Sequence, residues 1–113
     1  YRIGVKGDFM IGANEMRTNM VIPDPILELI KFRVSQSHKY RAVLGAEMYS
    51  LDKAIEAGLM DEIVPAETLM DTANEKAKDL STMGHPSYSM TKELFIADPL
   101  KKINEAIDGL NTK

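Results

Sequence analysis

The sequence predicts a mostly α-helical protein with a few short strands. Three observations carry that prediction. From Pro23 onward apolar residues recur at helical spacing; proline-bearing starts and glycine ends punctuate that stretch; and extended patterning is confined to residues 1–12 and to Glu62-Ile63-Val64. With 113 residues the chain suits one hydrophobic core and is too short for two.

The elements follow in order. Ile3 and Val5 share one side, Gly7-Asp8 signals a turn, and Phe9 and Ile11 resume the alternation, so the first residues read as two short strands. Two strands alone are marginal in water, so a larger sheet preceding Tyr1, or another chain, is expected to complete them. Asp24 is placed as an N-cap, with Pro25 at the first helical position, where its missing N–H costs nothing. Ile26, Leu29, Ile30 and Phe32 to Val34 give that helix its apolar face. Ser35 or Ser37 caps a second helix bearing Tyr40, Val43 and Leu44, which Gly45 closes. Ser50 opens a third with Leu51, Ala54 and Ile55, and Gly58 sits where a left-handed terminator belongs; Leu59 to Val64 then leaves in extended form. Pro65 precedes a fourth helix, with Leu69, Met70, Ala73, Ala77 and Leu80 on one face, and Gly84 ends it. His85-Pro86 starts a fifth, and Asp98-Pro99 repeats the signal before Leu100, Ile103, Ala106, Ile107 and Leu110. A terminal helix with such a stripe has to bury it, and in a chain this short another subunit is the natural partner.

Composition removes several classes of function. There are 44% apolar and 27% charged residues, and 14 Lys plus Arg stand against 17 Asp plus Glu, the pattern of a folded soluble chain rather than a disordered tail. The lack of Cys excludes disulfides, thiolate metal sites and a cysteine nucleophile, and fits a reducing, cytoplasmic setting. No apolar run approaches the roughly 18 residues of a membrane span, and the chain does not open with a signal-like segment, so no membrane partner is expected. Interspersed charge of slightly acidic balance offers no stripe for phosphate backbones, so no nucleic-acid partner is expected either.

Among residues able to do chemistry, Glu15 stands out by position. It follows a strand and Asn14, and precedes a stretch, Met16 to Ile22, rich in Met and branched apolar residues. A carboxylate beside apolar side chains loses solvation and can then take and return a proton near neutral pH. The same residue also fits a solvated turn glutamate. Met16 and Met20 fit either irregular core filling or the lining of a substrate pocket for an acyl chain. His38 and His85 have no ligand-spaced partners and read as surface or capping groups. The serines lack a G-x-S-x-G context and read as caps, while Gly4, Gly7 and Gly12 are spaced too irregularly for a phosphate loop. Lys92, Lys101 and Lys102 suit a nucleotide phosphate or simply a solvated helix face. No metal site is expected.

Four segments together resemble a known family. Tyr1-Arg2-Ile3-Gly4, Gly7-Asp8-Phe9-Met10-Ile11-Gly12-Ala13-Asn14-Glu15, Ala42-Val43-Leu44-Gly45-Ala46-Glu47-Met48-Tyr49, and the run from Ala54 through Ala57-Gly58-Leu59-Met60-Asp61-Glu62 to Val64-Pro65 look like the C-terminal half of the crotonase family, the enoyl-CoA hydratases and isomerases. The resemblance implies that residues 1–22 are the last strands of a truncated ββα spiral core with an active-site loop, and that residues 23–113 are a helical C-terminal region with oligomerisation helices. It implies an acyl-CoA substrate, an enolate intermediate, Glu15 as acid/base, and an oxyanion hole whose backbone donors lie upstream of Tyr1. Coenzyme A enters as part of the substrate, and no separate cofactor is implied. It further implies a trimer or hexamer at full length, and an N-terminal companion fragment if the chain is a piece. The pattern Ile11-Gly12-x-Asn14-Glu15, followed by a glycine-free Met16 to Ile22, looks more like the single-glutamate isomerase branch than the hydratase branch. A second reading rests on the terminal stripe alone: a non-catalytic helical oligomerisation module.

Overall fold

A computed structural model describes residues 1–111, so the last two positions of the expected 23–113 region lie outside the described residues. The chain is mostly helical. Four short strands are β1 (Ile3–Val5), β2 (Met10–Ile11), β3 (Tyr49–Ser50) and β4 (Glu62–Val64); five helices are α1 (Asp24–Arg33), α2 (Lys39–Val43), α3 (Leu51–Ala57), α4 (Leu69–Ser81) and α5 (Ser87–Asn111).

The first two strands find partners inside the chain, which corrects the expectation that a preceding sheet or another chain must supply them. β1 pairs in parallel with β4, with Ile3 opposite Glu62 and Val5 opposite Val64, and β2 pairs antiparallel with β3, with Ile11 opposite Tyr49. The sequence shows no strand at Tyr49–Ser50 because two residues carry no periodicity. Each sheet has two strands among the described residues, so outer edges stay open.

The core is small and sits where α1, α2 and α3 converge. Val34, Ala42, Tyr49, Ala54 and Ala57 are buried together, with Ile11, Ile30, Leu59 and Met60 packed around them. Alanines at two positions of α3 let it approach α1 closely, and Gly58 makes that approach possible. Its φ is +84°, and a Cβ there would lie 2.8 Å from the Arg33 carbonyl oxygen and 2.9 Å from the Ser35 nitrogen. Across the same junction the Ser35 N–H donates to the Ala57 carbonyl at 2.8 Å. Arg2 seals the outside: its guanidinium donates to the Gly58 carbonyl at 2.7 Å and to both Asp61 carboxylate oxygens, and its backbone N–H donates to Asp61 at 2.9 Å. Partial burial alone would raise the Asp61 pKa, but these bonds and nearby Arg33 hold it below the ordinary aspartate range.

Three local expectations need correction. Helix α1 begins at Asp24 with Pro23 as its cap residue, and Asp24 makes no capping bond; Ser35 and Ser50 likewise precede helices without side-chain caps. Gly45 is not the left-handed residue after α2: that conformation falls on Ala46, at φ 48°. The expected break at Asp98-Pro99 does not occur, since α5 runs through Pro99. An interior proline costs on the order of 3 kcal/mol, which packing against α1 offsets. Phe95, one turn before Pro99, meets Phe32 edge to face at 6.2 Å, and Pro99 shares a cleft with Glu28, Lys31 and Phe32.

Much apolar surface stays uncovered. The accessible surface is 8216 Å², whereas a compact monomer of this mass exposes about 6,200 Å². The radius of gyration is 16.4 Å, against about 13 Å for a compact domain of this length. The excess of about 2,000 Å² is more than twice the roughly 800 Å² that one partner buries in a standard protein–protein interface. On α5, Met90, Leu94, Phe95, Leu100, Ile107 and Leu110 are all exposed. No helix among the described residues is long and apolar enough to cross a membrane.

Replacing Gly58 by Ala should destabilise the fold by about 1–3 kcal/mol, because it forces a β-carbon into a left-handed position against two backbone groups. Urea denaturation checks this, and a loss below about 0.5 kcal/mol would show that the α1–α3 approach is looser than described.

Candidate functional site

β2 leads through Gly12, Ala13 and Asn14 into a 3₁₀ turn, Glu15–Thr18. A chain that must bend sharply after a strand needs its backbone polar groups satisfied locally, and this one satisfies them. The Arg17 N–H donates to the Asn14 carbonyl and the Met20 N–H to the Glu15 carbonyl, both at 2.9 Å, while Asn19 closes the turn at φ 55°. Gly12 lets the strand lie against the loop before β3, where a Cβ would stand 2.6 Å from the Glu47 carbonyl oxygen. Arg17 fastens the turn to that loop by donating to the carbonyls of Ala46 at 3.2 Å and Gly45 at 3.4 Å. Glu15 is therefore held from both sides of its turn.

The side chain borders a cavity of about 230 Å³. Its walls include Ile26 and Ile30 from α1, Val34 just after that helix, Ala42 from α2, Tyr49 from β3, and Leu59. Ile26 and Ile30 are four apart and so lie on one face of α1, and Val34 follows the helix in extended conformation. Within this apolar setting Glu15 Oε2 is buried and has no hydrogen-bond partner among the described residues. Stranding a carboxylate oxygen in this way costs on the order of 1–3 kcal/mol. Folding alone gains nothing from the arrangement.

Behind the cavity lies a polar cluster that the sequence does not reveal. Tyr49 is 2% exposed and His38 7%, which corrects the expectation that His38 is a surface group. The Tyr49 hydroxyl is 3.4 Å from His38 Nδ1, and the two rings pack at 5.7 Å. Arg41 Nη2 lies 3.3 and 3.4 Å from the two ring nitrogens of His38. Burial, followed by the neighbouring Glu47 carboxylate, pushes the Tyr49 phenol above its usual range, so Tyr49 stays neutral at physiological pH. The hint in the sequence was His38 at the start of a short helix, four residues before Ala42 and eleven before Tyr49; only the β2–β3 register brings these residues to the Glu15 cavity.

Met16 and Met20 are 41% and 59% exposed and do not border the cavity. His85 is exposed, as expected of a surface group, and its Nδ1 lies 3.2 Å from Ser89 Oγ, a side-chain contact near the start of α5. Among the described residues no three His, Asp or Glu side chains converge as metal ligands.

No protein-family model matches the chain, and a search of curated proteins finds no match. Solved structures do match. An enoyl-CoA hydratase/isomerase family protein from Pseudomonas syringae superimposes with a TM-score of 0.86 at 33% identity, over 96% of this chain and 47% of that one. An enoyl-CoA isomerase of Mycobacterium tuberculosis gives a TM-score of 0.87 at 30% identity, over 100% of this chain and 50% of that one. An enoyl-CoA hydratase from Mycobacterium ulcerans gives 0.87 at 29% identity, over 99% of this chain and 49% of that one. The chain thus spans about half the length of the structures it matches.

Replacing Glu15 by Met should stabilise the fold by about 1 kcal/mol, since it removes a stranded carboxylate oxygen and adds apolar contact. Urea denaturation of the two proteins measures this; a destabilised Glu15→Met protein would mean that the carboxylate is satisfied in solution.

Proposed function

Because the chain belongs to the enoyl-CoA hydratase/isomerase family, as the counterpart of its C-terminal half, we propose that it carries the acid/base of an enzyme acting on fatty acyl-CoA thioesters, and that Glu15 is that group. The observation that carries this reading is the buried, unpartnered Oε2 of Glu15 at the edge of an apolar cavity.

The chemistry follows from the placement. Beside the carbon next to a thioester carbonyl, the Glu15 carboxylate removes a proton and leaves an enolate, whose oxygen requires fixed N–H donors. By the resemblance those donors come from the half of the fold upstream of Tyr1. The protonated Glu15 then returns its proton to a carbon further along the chain, shifting the double bond. One carboxylate completes this exchange, and the glycine-free stretch Met16 to Ile22 after Glu15, by the resemblance, favours the isomerase branch. The apolar walls keep water from competing for the proton. In this reading Met16 and Met20, which lie outside the cavity, touch the substrate only where the upstream half closes over the turn.

The exposed face of α5 supports a second reading, a helical oligomerisation module without chemistry of its own. In the enzyme reading the same face takes part in a trimer or hexamer of complete subunits. The chain is then a truncated piece, inactive by itself, and an N-terminal companion fragment would complete its site.

With the upstream half present, Glu15→Gln should lower turnover of an enoyl-CoA by about 10²–10⁴-fold with little change in KM, and residues 1–113 alone should turn over nothing. Steady-state assay of the double-bond shift measures both. Full activity in Glu15→Gln rejects the acid/base assignment, and a completed protein that assembles without turnover supports the module instead.

A further inference from the structure

The Glu15 cavity is too small for a whole ligand, and its walls are mostly apolar. An apolar cavity of about 150 Å³ takes a six-carbon ring, and sites for entire ligands begin near about 300 Å³. At about 230 Å³ this one takes a hydrocarbon segment. One wall is formed by Ile26 and Ile30, about 6 Å apart along α1, continued by Val34 beyond the helix end. Ile26, half exposed, marks the mouth, while Val34, Ala42 and Tyr49 are buried and mark the inner end.

We propose that Tyr49, braced by His38, is the end wall that limits the acyl segment held beside Glu15 to about nine carbons. The acyl identity of the occupant rests on the function proposed above; the size limit rests on the cavity alone. Tyr49 is held by its place opposite Ile11 in the β2–β3 ladder and by the contact of its hydroxyl with His38 Nδ1 at 3.4 Å. Swinging the ring aside would break that hydroxyl contact and uncover the buried His38, which opposes the movement.

A 1-alkanol is a probe suited to both ends, since its hydroxyl donates to Glu15 Oε2 while its tail enters the cavity. In calorimetric titrations of the protein with its upstream half present, using 1-butanol through 1-dodecanol, affinity should rise about fourfold per methylene and level off near about nine carbons. Tyr49→Ala should extend the limit by about six carbons, the volume of the lost ring. Ile26→Phe, at a half-exposed position that folding tolerates, should shorten it by about two. Saturable binding with those shifts supports the proposal. Absence of saturable binding, affinity still climbing at dodecanol, or a limit unmoved in Ile26→Phe overturns it, even where Tyr49→Ala does not fold. These titrations need no turnover, so loss of the length limit and loss of the acid/base role give separate results.

Discussion

The structure depends on the close approach of two chain segments at Gly58. Only a residue without a β-carbon fits there, 2.8 Å from the Arg33 carbonyl oxygen. That approach brings Ala54 and Ala57 of α3 against Val34 at the end of α1, and so creates the small core. It also fixes where β4 begins and hence where β1 must pair. The orientation of α1 is set at the same point: with Val34 pinned in the core, Ile30 and Ile26 fall one and two turns back, toward Glu15. Arg2 and Asp61 close the junction from outside. As the Asp61 pKa is depressed, their contribution is present above the ordinary aspartate value of 3.8 and fades as pH falls below it.

A core of this size leaves the rest of the molecule unfinished. Among the described residues each sheet has two strands, α5 leaves large apolar side chains exposed, and the surface exceeds that of a compact monomer by more than one partner's share of a standard interface. Structures of the family match essentially all of this chain with about half of their own length. In the account proposed above, the other half covers the open surface and brings the oxyanion donors to Glu15, so the same contact that completes the fold also completes the chemistry.

The parts legible in the sequence were those with a long period or a stereochemical signature. The apolar faces of α1 and α4 and the left-handed Gly58 are of this kind, and so is the strand-then-glutamate context of Glu15. What escaped depended on contacts between distant residues. β3 is two residues long and exists because Ile11 lies opposite Tyr49. His38 is buried because that pairing brings a phenol to its ring. Pro99 sits inside a helix because α1 offers a surface on both sides of it, overriding a local preference that in isolation points to a break. Within the site, the sequence singled out the carboxylate but not its enclosure: the cavity walls come from five separate elements and loops, and the two methionines nearest in sequence lie outside it.

The central claim is that this chain acts as half of a larger unit. Native mass spectrometry of the protein carrying this sequence, isolated from its source, tests that most directly. The account predicts these 113 residues joined to, or tightly bound by, an upstream polypeptide of comparable length, in an assembly of several such units. A lone monomer of this chain, stable with its α5 face and sheet edges bare, would contradict it.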